Sequence, residues 1–176
     1  SKYRIEDSKA NKIRRELFAK ILTKDAKVLD AGCGDGRQLE WLADNFPGLN
    51  LRLFGFDLSE VLLKRSKERL KSYPFLTLTN NSIDSIPYRD SSFNIVVCFS
   101  VLQYYSLDPI KALNEMERVL KEWGFLVIYK AKPNHLDPFL IPDTVFTISK
   151  LVKSKKRNVA NKLTIFEPKS GQNIEK

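Results

Sequence analysis

The sequence predicts an α/β fold, a three-layer sandwich in which helices cover both faces of a mostly parallel central sheet. Short apolar runs, which are typical of buried strands, alternate with stretches of roughly ten to fifteen residues that carry apolar side chains every three or four positions. Glycines and prolines fall between these segments. Because consecutive parallel strands require crossover helices, the alternation predicts right-handed βαβ units.

The first half of the chain is predicted to contain a leading helix and two strand–helix units. The segments are a helix over 8–22, a strand over 27–30, a helix over 37–46, a strand over 51–56 and a helix over 60–71. Ser59 is a good N-cap for the last of these helices, because its hydroxyl can accept from a backbone N–H. We expect Val61, Leu62 and Leu70 to form the inward face of that helix.

The second half is predicted to add three strands and a further helix. The strands lie over 75–79, 93–99 and 125–129. The helix begins at Asp108, whose side chain can cap the first turn, and the proline that follows fits there as well. Its predicted apolar stripe consists of Ile110, Leu113, Met116 and Leu120.

Length and composition fit one globular domain and exclude several classes of protein. The chain has 176 residues, 43% of them hydrophobic, so it can bury a core without disulfide bonds. No apolar run approaches the ~18 residues of a membrane span. Cys33 and Cys98 lie far apart, and we interpret them as reduced thiols in a cytoplasmic protein. Since His135 is the single histidine, we predict no metal site.

The net charge of +9 is concentrated at the two ends of the chain. Residues 1–24 carry eight Lys and Arg against three Asp and Glu, and residues 150–176 carry eight against two. We therefore divide the chain into a basic leading helix (1–24), a core (25–149) and a basic C-terminal segment (150–176) that forms a sheet edge or a tail. The basic ends fit either a solvated surface or an RNA partner.

A glycine-rich loop, 30–36 (DAGCGDG), follows the first predicted strand. Ligands of open α/β sheets bind at this carboxyl edge, where glycines let the backbone approach them closely. Asp57 closes the second strand, 21 residues after Gly36, and can accept hydrogen bonds from both hydroxyls of a ribose. The loop alone also fits an empty turn, and Asp57 alone a helix cap, but the pair indicates a nucleoside-type cofactor.

The spacing within the loop argues against a dinucleotide. The dinucleotide fingerprint is G-x-G-x-x-G, whereas Arg37 stands at its third glycine position and Gly36 comes one residue early. Asp30 would oppose a pyrophosphate, while a carboxylate beside glycines suits a ligand with an ammonium and a sulfonium. A nucleotide-dependent oxidoreductase on the same topology remains an alternative.

Several motifs resemble those of one enzyme family. The segment 28–36 (VLDAGCGDG) resembles motif I of the class I S-adenosylmethionine-dependent methyltransferases, and 55–59 (GFDLS) resembles their second motif. Three later segments resemble the family's adenine loop, fourth-strand motif and helix before the fifth strand: 81–88 (NSIDSIPY), 91–97 (SSFNIVV) and 113–124 (LNEMERVLKEWG). The resemblance covers residues 27–130 and implies a Rossmann-like fold with S-adenosyl-L-methionine as cofactor.

The resemblance also implies which residues bind the cofactor. By their places in the motifs, these are Asp30, Gly32, Cys33, Gly34, Gly36, Asp57, Leu58, Ser82, Ile83, Phe99 and Ser100. Ser82 stands where an acidic residue usually contacts the adenine amine, so Asn81 or Asp84 is an alternative for that contact. Asn94 stands where Asp is common, and Glu-Trp-Gly at 122–124 replaces the usual Pro-Gly-Gly.

The family's sheet usually ends with an antiparallel pair after the fifth strand, but the periodic signal weakens after Lys130. A helix is predicted over 143–152 and a short strand over 163–166. We therefore expect the sandwich to be shortened at its C-terminal edge, through an incomplete sheet, a shortened variant or a fragment of a longer protein.

The function implied is methyl transfer from the sulfonium to an O, N or C nucleophile of an unidentified small molecule or RNA. A fixed catalytic triad is not expected, because the electrophile comes with the cofactor. Candidates for a catalytic role are Gln103, Tyr104, Tyr105 and His135, although packing is the favoured explanation of the tyrosines and a surface position that of the histidine. The alternative function is a non-catalytic, methyltransferase-like module that holds cofactor within a larger protein or complex.

Overall fold

One seven-stranded sheet organises the residues that the computed structural model describes, which are 9–102, 108–129, 146–150 and 165–166. The strands are β1 (Lys27–Ala31), β2 (Arg52–Asp57), β3 (Leu76–Asn80), β4 (Phe93–Phe99), β5 (Leu120–Tyr129), β6 (Phe146–Lys150) and β7 (Ile165–Phe166). Their order is β3-β2-β1-β4-β5-β6-β7. The first five are parallel, and β6 and β7 continue the sheet in antiparallel fashion.

Helices cover both faces of the sheet, so the predicted α/β sandwich is confirmed. They are α1 (Lys9–Ile21), α2 (Arg37–Asn45), α3 (Glu60–Arg69) and α4 (Pro109–Val119). Side chains of α1, α2 and α3 pack together on one face, and those of α4 pack on the other. Alternate residues of β4 explain this division, because Ile95 and Val97 join the first cluster whereas Val96 and Cys98 join the second.

In α3 and α4, the side chains that face the core are not all those that the sequence predicted. Val61 of α3 is 65% exposed and Ile110 of α4 is 69% exposed, so their predicted inward positions are wrong. In α3 the buried face runs through Leu63, Ser66 and the capping residue Leu70. The orientation of α3 about its axis depends on a polar residue, Ser66, which packs against the glycine loop. A pattern of apolar residues cannot reveal a buried serine.

The C-terminal edge of the sheet contains a strand where a helix was predicted. Residues 146–150 form β6, which pairs with β5, so the helix prediction for 143–152 is wrong over this range. The segment reads FTISK, in which apolar and polar residues alternate with the period of a strand. The short strand predicted over 163–166 is observed as β7, whose two residues end the described sheet.

The first residues of β5 and their contact with Asn94 of β4 show what the departures from the family's motifs do. Trp123, at the usual position of a glycine, adopts a left-handed backbone conformation with a φ of 65°. The side-chain oxygen of Asn94 accepts from the backbone N–H of Lys27 at 3.0 Å and from the ammonium of Lys121 at 3.3 Å. Asn94 therefore links β4 to β1 and β5.

Candidate functional site

The glycine loop turns sharply from β1 into α2 because three of its residues have positive φ angles. Gly34 has a φ of 53°, and a Cβ added there would meet nothing within 4 Å. Gly36 has a φ of 82°, and a Cβ added there would lie 2.3 Å from the Ser66 hydroxyl. Glycine is thus required at Gly34 for backbone conformation and at Gly36 also for the approach of α3.

The Asp57 carboxylate, at the end of β2, joins this loop to α3. One oxygen accepts from the backbone N–H of Gly34 at 2.8 Å, and the other accepts from the N–H of Ser59 at 2.9 Å. Ser59 caps α3 with its own hydroxyl, as predicted. Since a carboxylate oxygen can accept more than one hydrogen bond, Asp57 retains capacity for a ligand while it orders the loop.

A cavity of about 540 Å³ opens at this carboxyl edge of the sheet. Nine of the predicted cofactor-binding residues line it: Asp30, Gly32, Cys33, Gly34, Asp57, Leu58, Ile83, Phe99 and Ser100. Two predicted residues, Gly36 and Ser82, do not. Gly36 lies under α3 instead. The volume of the cavity is in the range usual for sites that bind small molecules and cofactors.

Asp30 is a buried carboxylate in the cavity wall. It is 1% exposed, and neither of its oxygens has a hydrogen-bond partner among the described residues. Burial raises the pKa of Asp30 to about 7; the positive charge of Arg14 lowers it and the negative charge of Asp57 raises it further. An unpartnered buried carboxylate is costly to the fold, so a functional reason for it is expected.

Two further buried residues were not predicted from the sequence: Gln38, which lines the cavity, and Arg14, which contacts Gln38. Arg14 of α1 is 5% exposed and Gln38 of α2 is 3% exposed. The guanidinium of Arg14 donates to the side-chain oxygen of Gln38 and lies 3.7 Å from the centre of the Trp41 ring. Arg14 is one of many basic residues near the N-terminus, and no sequence signal distinguishes it from its exposed neighbour Arg15.

The lining of the cavity also includes apolar side chains. Leu58 is 71% exposed although it is apolar, and it lines the cavity together with the buried Ile83. Asn81 also lines it, whereas Asp84 forms an ion pair with Lys111 at 3.7 Å. Of the alternatives for the polar adenine contact, the geometry therefore favours Asn81.

The two cysteines are free, as predicted, and both are buried. Burial and the neighbouring carboxylates of Asp30 and Asp57 hold the pKa of the Cys33 thiol well above its usual range. Burial likewise raises the pKa of Cys98 to about 12. Since the thiolate is the reactive form, neither residue is suited to act as a nucleophile.

The catalytic candidates Gln103, Tyr104, Tyr105 and His135 lie outside the described residues. The described part of the segment after β4 does reach the cavity, because Phe99, Ser100 and Val101 line it. Ser100 has a φ of 57°, and its hydroxyl is buried without a partner among the described residues. The chain therefore turns away from β4 within the cavity wall.

Comparison with known proteins identifies the family to which this architecture belongs. A family model described as a methyltransferase domain matches residues 29–128. The chain belongs to this family. The predicted class I S-adenosylmethionine-dependent methyltransferase family is thereby confirmed, with S-adenosylmethionine as its cofactor.

Individual relatives agree with this membership. The chain is 37% identical over 105 residues to an uncharacterised protein of Methanocaldococcus jannaschii, covering 60% of this chain and 40% of that protein. It is 31% identical over 118 residues to a demethylmenaquinone methyltransferase of Staphylococcus aureus, covering 66% and 47%. A solved methyltransferase from Aquifex aeolicus shares the fold with a TM-score of 0.62 at 21% identity, covering 80% and 76%.

The chain spans less than half the length of the curated relatives that it matches. The region that the family model matches runs from within β1 to within β5 and includes the glycine loop and Asp57. Among the described residues, no helix has the length and apolar character needed to cross a lipid bilayer.

The residues present fit S-adenosylmethionine. Asp57 can accept from ribose hydroxyls, and Asp30 offers a carboxylate for an ammonium. The open space at Gly34 leaves room for a ligand beside bare backbone. The apolar side chains of Leu58 and Ile83 suit the faces of a purine.

Proposed function

We propose that this chain binds S-adenosylmethionine in the carboxyl-edge cavity and catalyses transfer of its methyl group to an O, N or C nucleophile. The observation that carries the proposal is the arrangement of two carboxylates in one cavity. Asp57 is already ordered by the glycine loop, and Asp30 is buried without a partner among the described residues. Such a pair suits a ligand with hydroxyls at one place and a positive charge at another.

The cofactor, when bound, supplies a methyl group on a sulfonium, which is an electrophile that needs no further activation. The protein binds and orients the two reactants and excludes water from them. Asp57 would hold the ribose, and Asp30 the ammonium. Leu58, Ile83 and Asn81 would contact the adenine.

The acceptor belongs to the proposal as an unidentified small molecule or RNA. Exposed basic side chains of α1 and α3, which pack on the same side of the sheet, favour an anionic partner: Lys12, Arg15, Lys20, Lys64, Arg65 and Lys67. Gln103, Tyr104, Tyr105 and His135 stay candidates for a role at the acceptor. We also assign the protein to the cytoplasm, a proposal supported by its two free thiols.

The direct test of the cofactor site is calorimetric titration of S-adenosylhomocysteine into the wild-type chain and Asp57→Ala. Two charge-assisted hydrogen bonds are lost, each contributing about 1.5–3 kcal/mol, so we expect affinity to fall at least a hundredfold. Asp44→Ala removes an exposed carboxylate of α2 away from the cavity and should bind like the wild type. Unchanged affinity of Asp57→Ala would overturn the ribose assignment.

Two further measurements separate the proposed activity from its alternatives. S-adenosylhomocysteine at 100 times its dissociation constant should stabilise the chain by ~2.7 kcal/mol, whereas NAD should have no effect if the oxidoreductase alternative is wrong. Radiolabelled S-adenosylmethionine should label a component of a small-molecule extract or of total RNA. Tight binding without any transfer would favour the non-catalytic module.

A further inference from the structure

The N-terminal helix α1 places a buried cation, Arg14, against two residues that line the cofactor cavity, Gln38 and Phe99. The Arg14 guanidinium stacks at 3.7 Å from the centre of the Trp41 ring and lies 5.5 Å from the centre of the Phe99 ring. Phe99 itself lines the cavity. An arginine that is 5% exposed and held by aromatic rings has a fixed position, so any group that it binds is also fixed.

Arg14 determines which end of the Gln38 amide faces it. A guanidinium has only hydrogen-bond donors, so the group that Arg14 contacts must be the amide oxygen of Gln38. The amide nitrogen, Nε2, is then left to donate elsewhere. It is buried and has no partner among the described residues, and Gln38 lines the cavity.

Asp30 and Gln38 therefore present opposite hydrogen-bonding properties to the same cavity. Asp30 offers two acceptor oxygens, and Gln38 offers an amide donor. Each is nearly inaccessible to solvent, so each loses free energy unless a ligand group completes its hydrogen bonds. An α-amino acid group carries the matching pair, an ammonium and a carboxylate, and S-adenosylmethionine ends in such a group.

We propose that Gln38 donates its Nε2 hydrogens to the α-carboxylate of the cofactor and that Arg14 is the positioning residue for this contact. The inference rests on the proposed function. It makes α1 part of the binding site, and it assigns to Gln38 the selection of ligands that keep their amino-acid end. The positive charge of Arg14 adds to this selection, because it attracts a carboxylate.

Two nucleosides that differ only in the amino-acid end provide the test. S-adenosylhomocysteine has this end, and 5′-methylthioadenosine lacks it while keeping the adenosine and the thioether. We would titrate both into the wild-type chain, Gln38→Met and Arg14→Met by calorimetry. Methionine keeps much of the length and packing of the replaced side chain but has no donor.

We expect Gln38→Met to weaken S-adenosylhomocysteine by about ten- to a hundredfold, the effect of losing one hydrogen bond to a charged group. Its affinity for 5′-methylthioadenosine should change less than threefold. Arg14→Met should change the ratio of the two affinities in the same direction, and Arg14→Lys, which can still donate to Gln38, should restore part of it. Arg15→Met, at the exposed neighbour, is the matched control.

An equal loss of affinity for both nucleosides would show that Gln38 and Arg14 only support the fold, and would overturn the inference. Unchanged affinity for S-adenosylhomocysteine in Gln38→Met would overturn it as well. If the wild-type chain bound neither nucleoside, the proposed function would fail together with this inference. If Asp57→Ala abolished binding but Gln38→Met did not alter it, only the inference would fail.

Discussion

Two arginine clusters of this chain differ in how completely their polar groups are paired. Arg118 of α4 donates to both oxygens of Glu115, to Asp90 and to the backbone carbonyls of Ile86 and Tyr88, over 2.7–2.9 Å. Glu115 also accepts from the N–H of Ile86 at 2.8 Å. This cluster fixes the loop between β3 and β4 to α4, and its contacts are all within the protein.

The cluster around Arg14 is incomplete by comparison. Gln38 is oriented by Arg14, yet its amide nitrogen has no partner among the described residues, and the same is true of both oxygens of Asp30. The side chains of Asp30 and Gln38 are more deeply buried than those around Arg118. Because burial removes the water that could replace a missing hydrogen bond, their unpaired atoms lower the stability of the fold. The difference indicates that the first cluster serves stability, whereas the second is arranged for a ligand.

The largest expected effect on stability comes from breaking the complete cluster. Arg118→Met removes a cation from Glu115, whose side chain is 21% exposed, and leaves two carbonyls without their donor. We expect the free energy of unfolding to fall by about 2–3 kcal/mol, measured by urea denaturation. Affinity for S-adenosylhomocysteine should be unchanged in the folded protein.

Lys71→Met is the matched control for this prediction. It removes an ion pair with Glu68 in which both side chains are at least 68% exposed. Because solvent screens such pairs, the loss of stability should be much smaller than that of Arg118→Met. If Arg118→Met proved no more destabilising than Lys71→Met, the structural role of the complete cluster would be refuted.

At the incomplete cluster, around Arg14, we expect a substitution to change stability by a smaller amount and to increase it. The pKa of Asp30 is about 7 in the folded chain, whereas the ordinary pKa of an aspartate side chain is 3.8, so the folded state binds more protons between these values. Stability should therefore decrease as pH rises from about 4 to 7 and level off above that. Asp30→Asn should remove this contribution and stabilise the chain at pH 8 by about 1–2 kcal/mol.

The same substitution should harm ligand binding, because the ammonium would lose a charged acceptor. We expect S-adenosylhomocysteine to bind Asp30→Asn about ten- to a hundredfold more weakly, measured by calorimetry at pH 8. A variant that is less stable than the wild type at pH 8 and binds equally well would contradict the view that Asp30 is kept for a ligand.

The parts of the fold that could be predicted are those that depend on local patterns. The five parallel strands and the start of α4 at Asp108 follow from apolar runs and capping residues. The inward face of α3 could not be predicted, because Ser66 is buried only through its approach to Gly36 from another element. Strand β6 was missed although its five residues alternate apolar and polar side chains, because so short a pattern forms a strand only by pairing with β5.

The residues of the candidate site, too, could be predicted from the sequence only where they belong to a local motif. The motifs led to Asp30 and Asp57 because these residues stand at fixed places beside glycines in the sequence. Arg14 and Gln38 carry no such signal, since they are 24 residues apart and meet only when α1 packs beside α2. Contacts between distant elements depend on tertiary packing, which a single sequence does not encode in any local pattern.

The smallest expected effect on stability concerns the backbone of Trp123, which lies within β5. Trp123 has a φ of 65° and is 58% exposed. Trp123→Gly should be more stable than Trp123→Ala by about 0.5–1 kcal/mol in urea denaturation, since only the glycine adopts this conformation without strain. Alanine removes the same indole, so equal stability of the two variants would show that the turn is not strained.

The most direct measurement is a crystal structure of the chain grown with S-adenosylhomocysteine. We expect the nucleoside in the carboxyl-edge cavity, with its ribose hydroxyls in hydrogen-bond contact with Asp57 and its amino-acid end against Asp30 and Gln38. An empty cavity at saturating ligand, or a nucleoside bound elsewhere with the Asp30 carboxylate still unpartnered, would contradict the assignment of these buried polar groups to a ligand.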